Sequence, residues 1–198
     1  IGDFHDLKKL VDWVVATGQR VIQLLPVNDT TMTGTWVDTY PYSANSIYAL
    51  HPQFVYLPDA GVRRDSSYKA LKAELEALPE LDYERVNAEK DRLMRKAFSA
   101  TWAKVSKSPE YKEFVKVNAN WLDAYCAFRI LLHKTGTGDT SKWGKYASYS
   151  EKKVAAVLAA DRAEADYHAF VQFHLHKQPV EARDYARKRG VALKGDLP

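Results

Sequence analysis

The chain has 198 residues and a mass of 22.5 kDa, enough for one well-buried core or for one domain carrying an insertion. Its 46% hydrophobic and 27% charged content is ordinary globular material, and Cys126, the only cysteine, excludes an internal disulfide framework or a cysteine metal site. The net charge of +4 is dispersed among mixed acidic and basic segments, which argues against a nucleic-acid stripe, and no apolar run of about eighteen residues exists to span a membrane.

The first ten residues, IGDFHDLKKL, lack the basic, apolar and small-residue zones of a signal peptide. They also lack an initiator Met, so the natural start is expected upstream, and the single cysteine fits a reducing, cytoplasmic location. Asp3 can cap a helix over 4–17, whose apolar residues Phe4, Leu7, Leu10, Val11, Val14 and Val15 follow helical spacing. Gly18 is placed to end it in a left-handed turn. A strand is predicted over 20–25, stopped by Pro26, and its continuous apolar character is that of a buried parallel strand.

Residues 28–66 read as loop, punctuated by Pro41, Pro52, Pro58 and Gly61. Helices follow. Ser66 or Ser67 caps one running to about Ala77, and a longer one covers 83–105. Ser108-Pro109 starts a third near 110–116, and a fourth spans 120–134 until Gly136-Thr137-Gly138 breaks it. Residues 139–150 are polar and irregular, Ser150 caps a helix over 151–159, and a last helical region covers 161–189. Pro179 should kink or split that region near Gln178. Gly190 ends it, and a second apolar strand covers 191–196.

Two parallel strands about 165 residues apart need neighbours to pair with and to cover their edges, yet no other convincing strand is visible. The expected fold class is therefore α/β: part of a larger barrel or sheet, interrupted by a mainly helical insertion. Three segments follow from this, a strand-and-loop segment over 1–57, the insertion over 58–160, and a helix-and-strand segment over 161–198.

The chemistry-bearing residues are few. His174 and His176 lie in a helical segment, where residues two apart diverge, so a metal site is not expected; His133 and His168 read as surface or interhelical residues. Gly136–Asp139 lacks the preceding strand of a phosphate loop. Asp29 follows the first strand and Asp196 ends the second, positions at which barrels bind substrate. For Asp29 a turn or cap is the better reading; for Asp196 it is function. The loop between carries Trp36, Tyr40, Tyr42 and Tyr48 beside Asp, Asn, Ser and Thr, the flat apolar faces and acceptors that a sugar groove needs. Composition alone would equally make those aromatics core and rim packing.

Three stretches carry a resemblance. GDFHDLKKLVDWVVATGQRVIQLLPVNDT, YPYSANSIYALHP and FVQFHLHKQ…ARDYARKRGVALKGDLP, with support around Asn120-Trp121-Leu122-Asp123-Ala124-Tyr125, resemble the 4-α-glucanotransferases, the amylomaltase or disproportionating-enzyme group of glycoside hydrolase family 77. The branch with a long helical insertion and N-terminal starch-binding modules looks closest. The resemblance implies a partial (β/α)₈ TIM barrel, from first helix to third strand. It implies transfer of α-1,4-glucosyl or glucan units from maltose or malto-oligosaccharides to an acceptor glucan, by a retaining double displacement with an Asp nucleophile and a Glu acid/base. Those carboxylates belong to motifs absent here, so no catalytic residue is expected in this chain and the chain alone is expected to be inactive.

What carries over is substrate binding. Tyr42 matches the tyrosine of the family's Pro-Tyr motif, expected near the donor sugar, and Asp196 matches the Asp of its GDLP motif. Trp36, Asp38, Ser43 and Ser46 are neighbouring candidates. Neither a cofactor nor a metal is implied, the partner is a glucan rather than nucleic acid or membrane, and oligomeric state is not legible. Two departures stand out: His5 replaces a usually small residue, and Pro179 interrupts a helix that normally runs through. The rival reading is a non-catalytic helical module that binds glucan or protein.

Overall fold

The computed structural model describes residues 2–198. Helix α1 (Phe4–Ala16) opens with a reciprocal cap: the Asp3 carboxylate accepts from the backbone N–H of His5 and Asp6, at 2.9 and 3.1 Å, while Asp6 accepts from Asp3 N–H. Its buried stripe is Phe4, Leu7, Val11 and Val14. Gly18, at φ 75°, lets the chain reverse into strand β1 (Val21–Gln23). After 28–65, which hold three short 3₁₀ turns, come α2 (Ser66–Glu76), α3 (Tyr83–Val105), α4 (Pro109–Val117), α5 (Leu122–Thr135), α6 (Glu151–Ala160), α7 (Arg162–Lys188) and strand β2 (Ala192–Lys194).

Strands β1 and β2 pair in parallel, Val21 with Ala192 through Gln23 with Lys194. Both are shorter than expected. Val21 and Leu25 are 56% and 59% exposed. Only one side is packed, where Ile22 and Val191 meet Val11 and Val14 of α1 and Ala182 and Ala186 of α7. Among the described residues no third strand joins them, and a two-stranded ladder ends where its partner ends.

Helix α7 threads every part of the core. Ala165 and Ala169 belong to a cluster with Trp121, just before α5, Tyr125 and Ile130 within it, and Val157 and Leu158 of α6. Tyr167, Phe170, Val171 and Leu175 pack with Phe4, Val55, Leu57 and Met94. Ala182 and Ala186 close the cluster beneath the strands. Contrary to expectation, Pro179 does not split this helix, which runs unbroken for 27 residues. Packing on both sides of Pro179 holds it together: Leu175, Gln178 and Ala182 are all buried. His5, the other departure, stacks on Tyr56 with ring centroids 4.2 Å apart.

Two buried glutamines of α7 hold the segment that leads into the insertion. Gln172 accepts from Leu50 N–H at 2.9 Å and donates to Leu50 C=O at 2.8 Å; Gln178 does the same for Tyr56, at 2.8 and 3.0 Å. A side-chain amide thus replaces a strand partner, satisfying buried backbone groups. Capping differs at one place from expectation: Asp65, not Ser66 or Ser67, caps α2, its carboxylate accepting from Tyr68 N–H at 2.9 Å. That helix buries none of its residues. No helix is long and apolar enough to cross a membrane among the described residues.

Candidate functional site

The loop between Asn28 and Leu50 is closed at its base by an antiparallel bridge between those two residues. Little of it is apolar and buried. Its buried members are Asp29, Thr30, Asp38 and Ala49, so polar contacts fix its shape. Asp38 gathers four donors. Its carboxylate accepts from the backbone N–H of Met32, Thr33 and Gly34, at 3.1, 3.0 and 2.7 Å, and from the Thr33 hydroxyl at 3.0 Å. Gly34, at φ 74°, supplies the left-handed turn that aims these amides inward. Thr30 Oγ1 donates to the Asp38 carbonyl.

Asp38 is thus a buried anchor whose contacts lie within the loop. Asp38→Ala is expected to cost about 2 kcal/mol by leaving those donors unpaired. It should also speed amide hydrogen exchange over 32–38, read by mass spectrometry. Unchanged exchange there would contradict the anchoring role.

Around this scaffold the aromatics face outward. Trp36 is 71% exposed, and Tyr40, Tyr42 and Tyr48 are exposed too. The rings of Tyr40 and Tyr42 lie 5.7 Å apart, tilted 55°. Tyr42 Oη donates to Asp196 Oδ2 at 2.9 Å, joining residues 154 apart in sequence. That bond raises the Tyr42 pKa above its ordinary value, the phenol being the donor. Asp196 Oδ1 accepts from Leu197 N–H at 3.0 Å. Ser43 is exposed, and its N–H donates to Tyr40 C=O at 3.2 Å. Ser46 is half-buried, with its hydroxyl oxygen accepting from Tyr48 and Ala49 N–H at 3.1 and 3.0 Å. The six sequence candidates therefore divide. Tyr42, Asp196, Trp36 and Ser43 are at the surface or close to it, while Asp38 and Ser46 spend their oxygens on the loop itself.

Asp29 is more than a turn residue. Its Oδ1 does accept from Thr31 N–H and Oγ1, at 3.0 and 2.6 Å, as a turn aspartate would. But it is wholly buried, and Oδ2 meets Tyr125 Oη at 2.7 Å and an Arg129 amino group at 3.5 Å. Burial is the largest influence and opposes its ionisation. Arg129, His51 and the hydrogen bonds of Thr31 and Tyr125 together outweigh burial, holding the carboxyl below its ordinary value. Tyr125 and Arg129 escaped the sequence reading of the site. An arginine within the apolar run Tyr125–Leu132 was the signal available.

His174 and His176 have packing roles. His174 packs on Phe170 and Phe173, with centroids at 4.5 and 5.1 Å, and His176 on Phe114 and Trp121, each at 5.3 Å. His133 is exposed. His168 is close to Glu164 one turn away on its own helix, Nε2 to Oε1 3.3 Å, rather than at the surface.

The sequence profile of the 4-alpha-glucanotransferases, glycoside hydrolase family 77, matches residues 1–198. Across its whole length the chain is 41% identical to the 4-alpha-glucanotransferase DPE2 of Oryza sativa subsp. japonica, of which it covers 22%. It is 30% identical to the 4-alpha-glucanotransferase of Chlamydia pneumoniae, of which it covers 38%. In three dimensions it resembles an amylomaltase from Streptococcus agalactiae solved in complex with acarbose, with a TM-score of 0.78 at 20% identity, over 99% of this chain and 39% of that one. The chain thus spans between about a fifth and two fifths of these relatives. A helical body with two parallel strands has the fold of the matching part of an amylomaltase, and with a profile match from end to end the chain belongs to the 4-alpha-glucanotransferases of glycoside hydrolase family 77.

Proposed function

We propose that this chain forms one wall of the glucan groove of a 4-α-glucanotransferase that moves α-1,4-glucosyl or glucan units from maltose or malto-oligosaccharides to an acceptor glucan. The bond between Tyr42 and Asp196 carries the reading. It unites an exposed aromatic loop with the end of β2, and strand ends are where barrels of alternating strands and helices bind substrate. Residues 1–57 and 161–198 would then be segments of a (β/α)₈ barrel, with 58–160 as the helical insertion. The protein is placed in the cytoplasm by this proposal; a buried, unpaired Cys126 is compatible with reducing conditions.

In a retaining transfer, a carboxylate attacks the anomeric carbon while an acid protonates the departing glycosidic oxygen. The acceptor hydroxyl, deprotonated by that same second group, then displaces the enzyme. Asp29 and Asp38 are unsuited to either task, since both are buried and saturated with donors. The role assigned to this chain is binding. Tyr42 offers a ring face to the donor sugar, Asp196 accepts from sugar hydroxyls, and Trp36 and Ser43 extend the contact along the chain of glucose units. Asp38 and Ser46 hold the loop that presents them.

The full-length protein is expected to release glucose from maltose when glycogen is supplied as acceptor. Tyr42→Phe and Asp196→Asn should each lower kcat/KM for maltose by roughly tenfold, the worth of one hydrogen bond near a charged group. No glucose release, with or without glycogen, would refute the proposal.

A further inference from the structure

Helix α5 touches the aromatic loop along a single stripe. Tyr125 and Arg129 stand four residues apart on α5 and lie one above the other on one face, and Trp121, which precedes the first turn of the helix, stands four residues before Tyr125. All three contact the loop, Tyr125 and Arg129 sharing Asp29. The ring of Trp121 stacks on Tyr48, with centroids 5.9 Å apart and planes 13° from parallel. Tyr125 donates to Asp29. Arg129 donates to the Thr31 carbonyl at 2.9 Å and pairs with Asp29.

Asp29 passes this hold on to the exposed rim. Its N–H donates to Ala49 C=O, and its C=O accepts from Asn45 N–H, both at 2.9 Å. Asn45 also donates to Thr31 C=O at 3.0 Å, the oxygen that Arg129 uses. Tyr42 is three residues from Asn45. Behind the stripe, Gln172 of α7 donates to Tyr125 Oη at 3.3 Å, so this hydroxyl is both donor and acceptor.

Stability alone is a poor explanation for such a clamp. Buried ion pairs lose in desolvation much of what they gain in attraction, and packed apolar residues often do as well. What a charged, directional contact adds is a fixed geometry. We infer that Tyr125 and Arg129 of α5, acting through Asp29, and Trp121 at the start of that helix, acting through Tyr48, are positioning residues that set the Tyr42 rim for glucan binding. The helical insertion is then part of the template for the substrate groove. This rests on the proposed function for its substrate, though the mechanical claim stands apart from it.

The test uses the full-length protein with Tyr125→Phe, Arg129→Gln and, as a control, Arg95→Gln, which breaks the exposed pair with Glu164. Tyr125→Phe removes one hydroxyl and preserves the ring, so it is the variant most certain to fold. In Tyr125→Phe and Arg129→Gln, amide exchange over 42–49 should accelerate at least tenfold while α7 remains protected. KM for maltose should rise about fivefold to tenfold, with kcat within threefold of wild type. Arg95→Gln should leave both readouts unchanged. Exchange and KM at wild-type values in Tyr125→Phe would overturn the inference. So would faster exchange with unchanged KM, which would make the clamp structural only. If the wild-type protein transfers no glucose, the proposed function fails, and the exchange arm still decides whether α5 holds the loop.

Discussion

Phe170→Ala is expected to lower the stability of the protein by about 3–5 kcal/mol, the usual cost of removing a fully buried ring. Phe170 has no exposed surface. Its ring meets Phe98 at 5.4 Å, Trp102 at 6.3 Å and His174 at 4.5 Å, mostly edge to face. These neighbours come from α3 and α7 themselves, whose long helices cannot collapse inward to refill the space. A domain's whole stability is about 5–15 kcal/mol, so the variant loses a large share of it. Phe173, three residues on but only partly buried, provides the comparison: Phe173→Ala should cost distinctly less. Urea unfolding of both variants checks this. Equal costs would show that Phe170 is no more tightly packed than its partly buried neighbour.

Acid should destabilise the protein between about pH 6.5 and pH 4, and His174 should be a principal cause. Burial, then the charge of Lys177, lowers its pKa from 6.5 to about 4. Its Nε2 has no hydrogen-bond partner, and Asp59, Lys177 and Glu181 share the cleft beside it. In the unfolded chain the imidazole takes up a proton as pH falls through 6.5; in the folded chain it resists until about pH 4. The unfolded state therefore binds more protons across that window, and stability falls as pH falls. A difference of about 2.5 pH units corresponds to about 3 kcal/mol, reached below pH 4 where both states are protonated. His51, His168 and His176 are shifted in the same direction, chiefly by burial, and add to the slope. His174→Leu should flatten the profile without harming stability at pH 8. Denaturant midpoints from pH 8 to pH 4 measure it, and an identical slope in the variant would rule His174 out.

Helix boundaries were legible wherever local chemistry decides them. Asp3, Ser108 and Ser150 cap the helices expected of them, because a side-chain oxygen beside free amides is a short-range signal. The apolar stripe of α1 was equally plain. Pro179 misled because its local effect is real but small beside the burial of α7 on several partners. The strands came out shorter than expected, three residues each, because their extent is set by a partner far away in sequence. The same distance hid most of the site. Asp196 stood out by its place at a strand end and Tyr42 by its match to the family's Pro-Tyr motif, but nothing in the sequence marks the bond between them. The clamp of Asp29 by Tyr125 and Arg129 spans about a hundred residues, and a lone aspartate after a strand carries no mark of it.

Helix α7 is roughly 40 Å long at 1.5 Å per residue, and it is the common member of three apolar clusters too small to stand alone. Such a shared rod makes their folding interdependent. Each cluster can bury its apolar surface only once the rod has formed, and the rod, marginal in water by itself, persists only while the clusters grip it. Residues near its start and near its end are therefore energetically linked without touching, and damage at either end weakens the other.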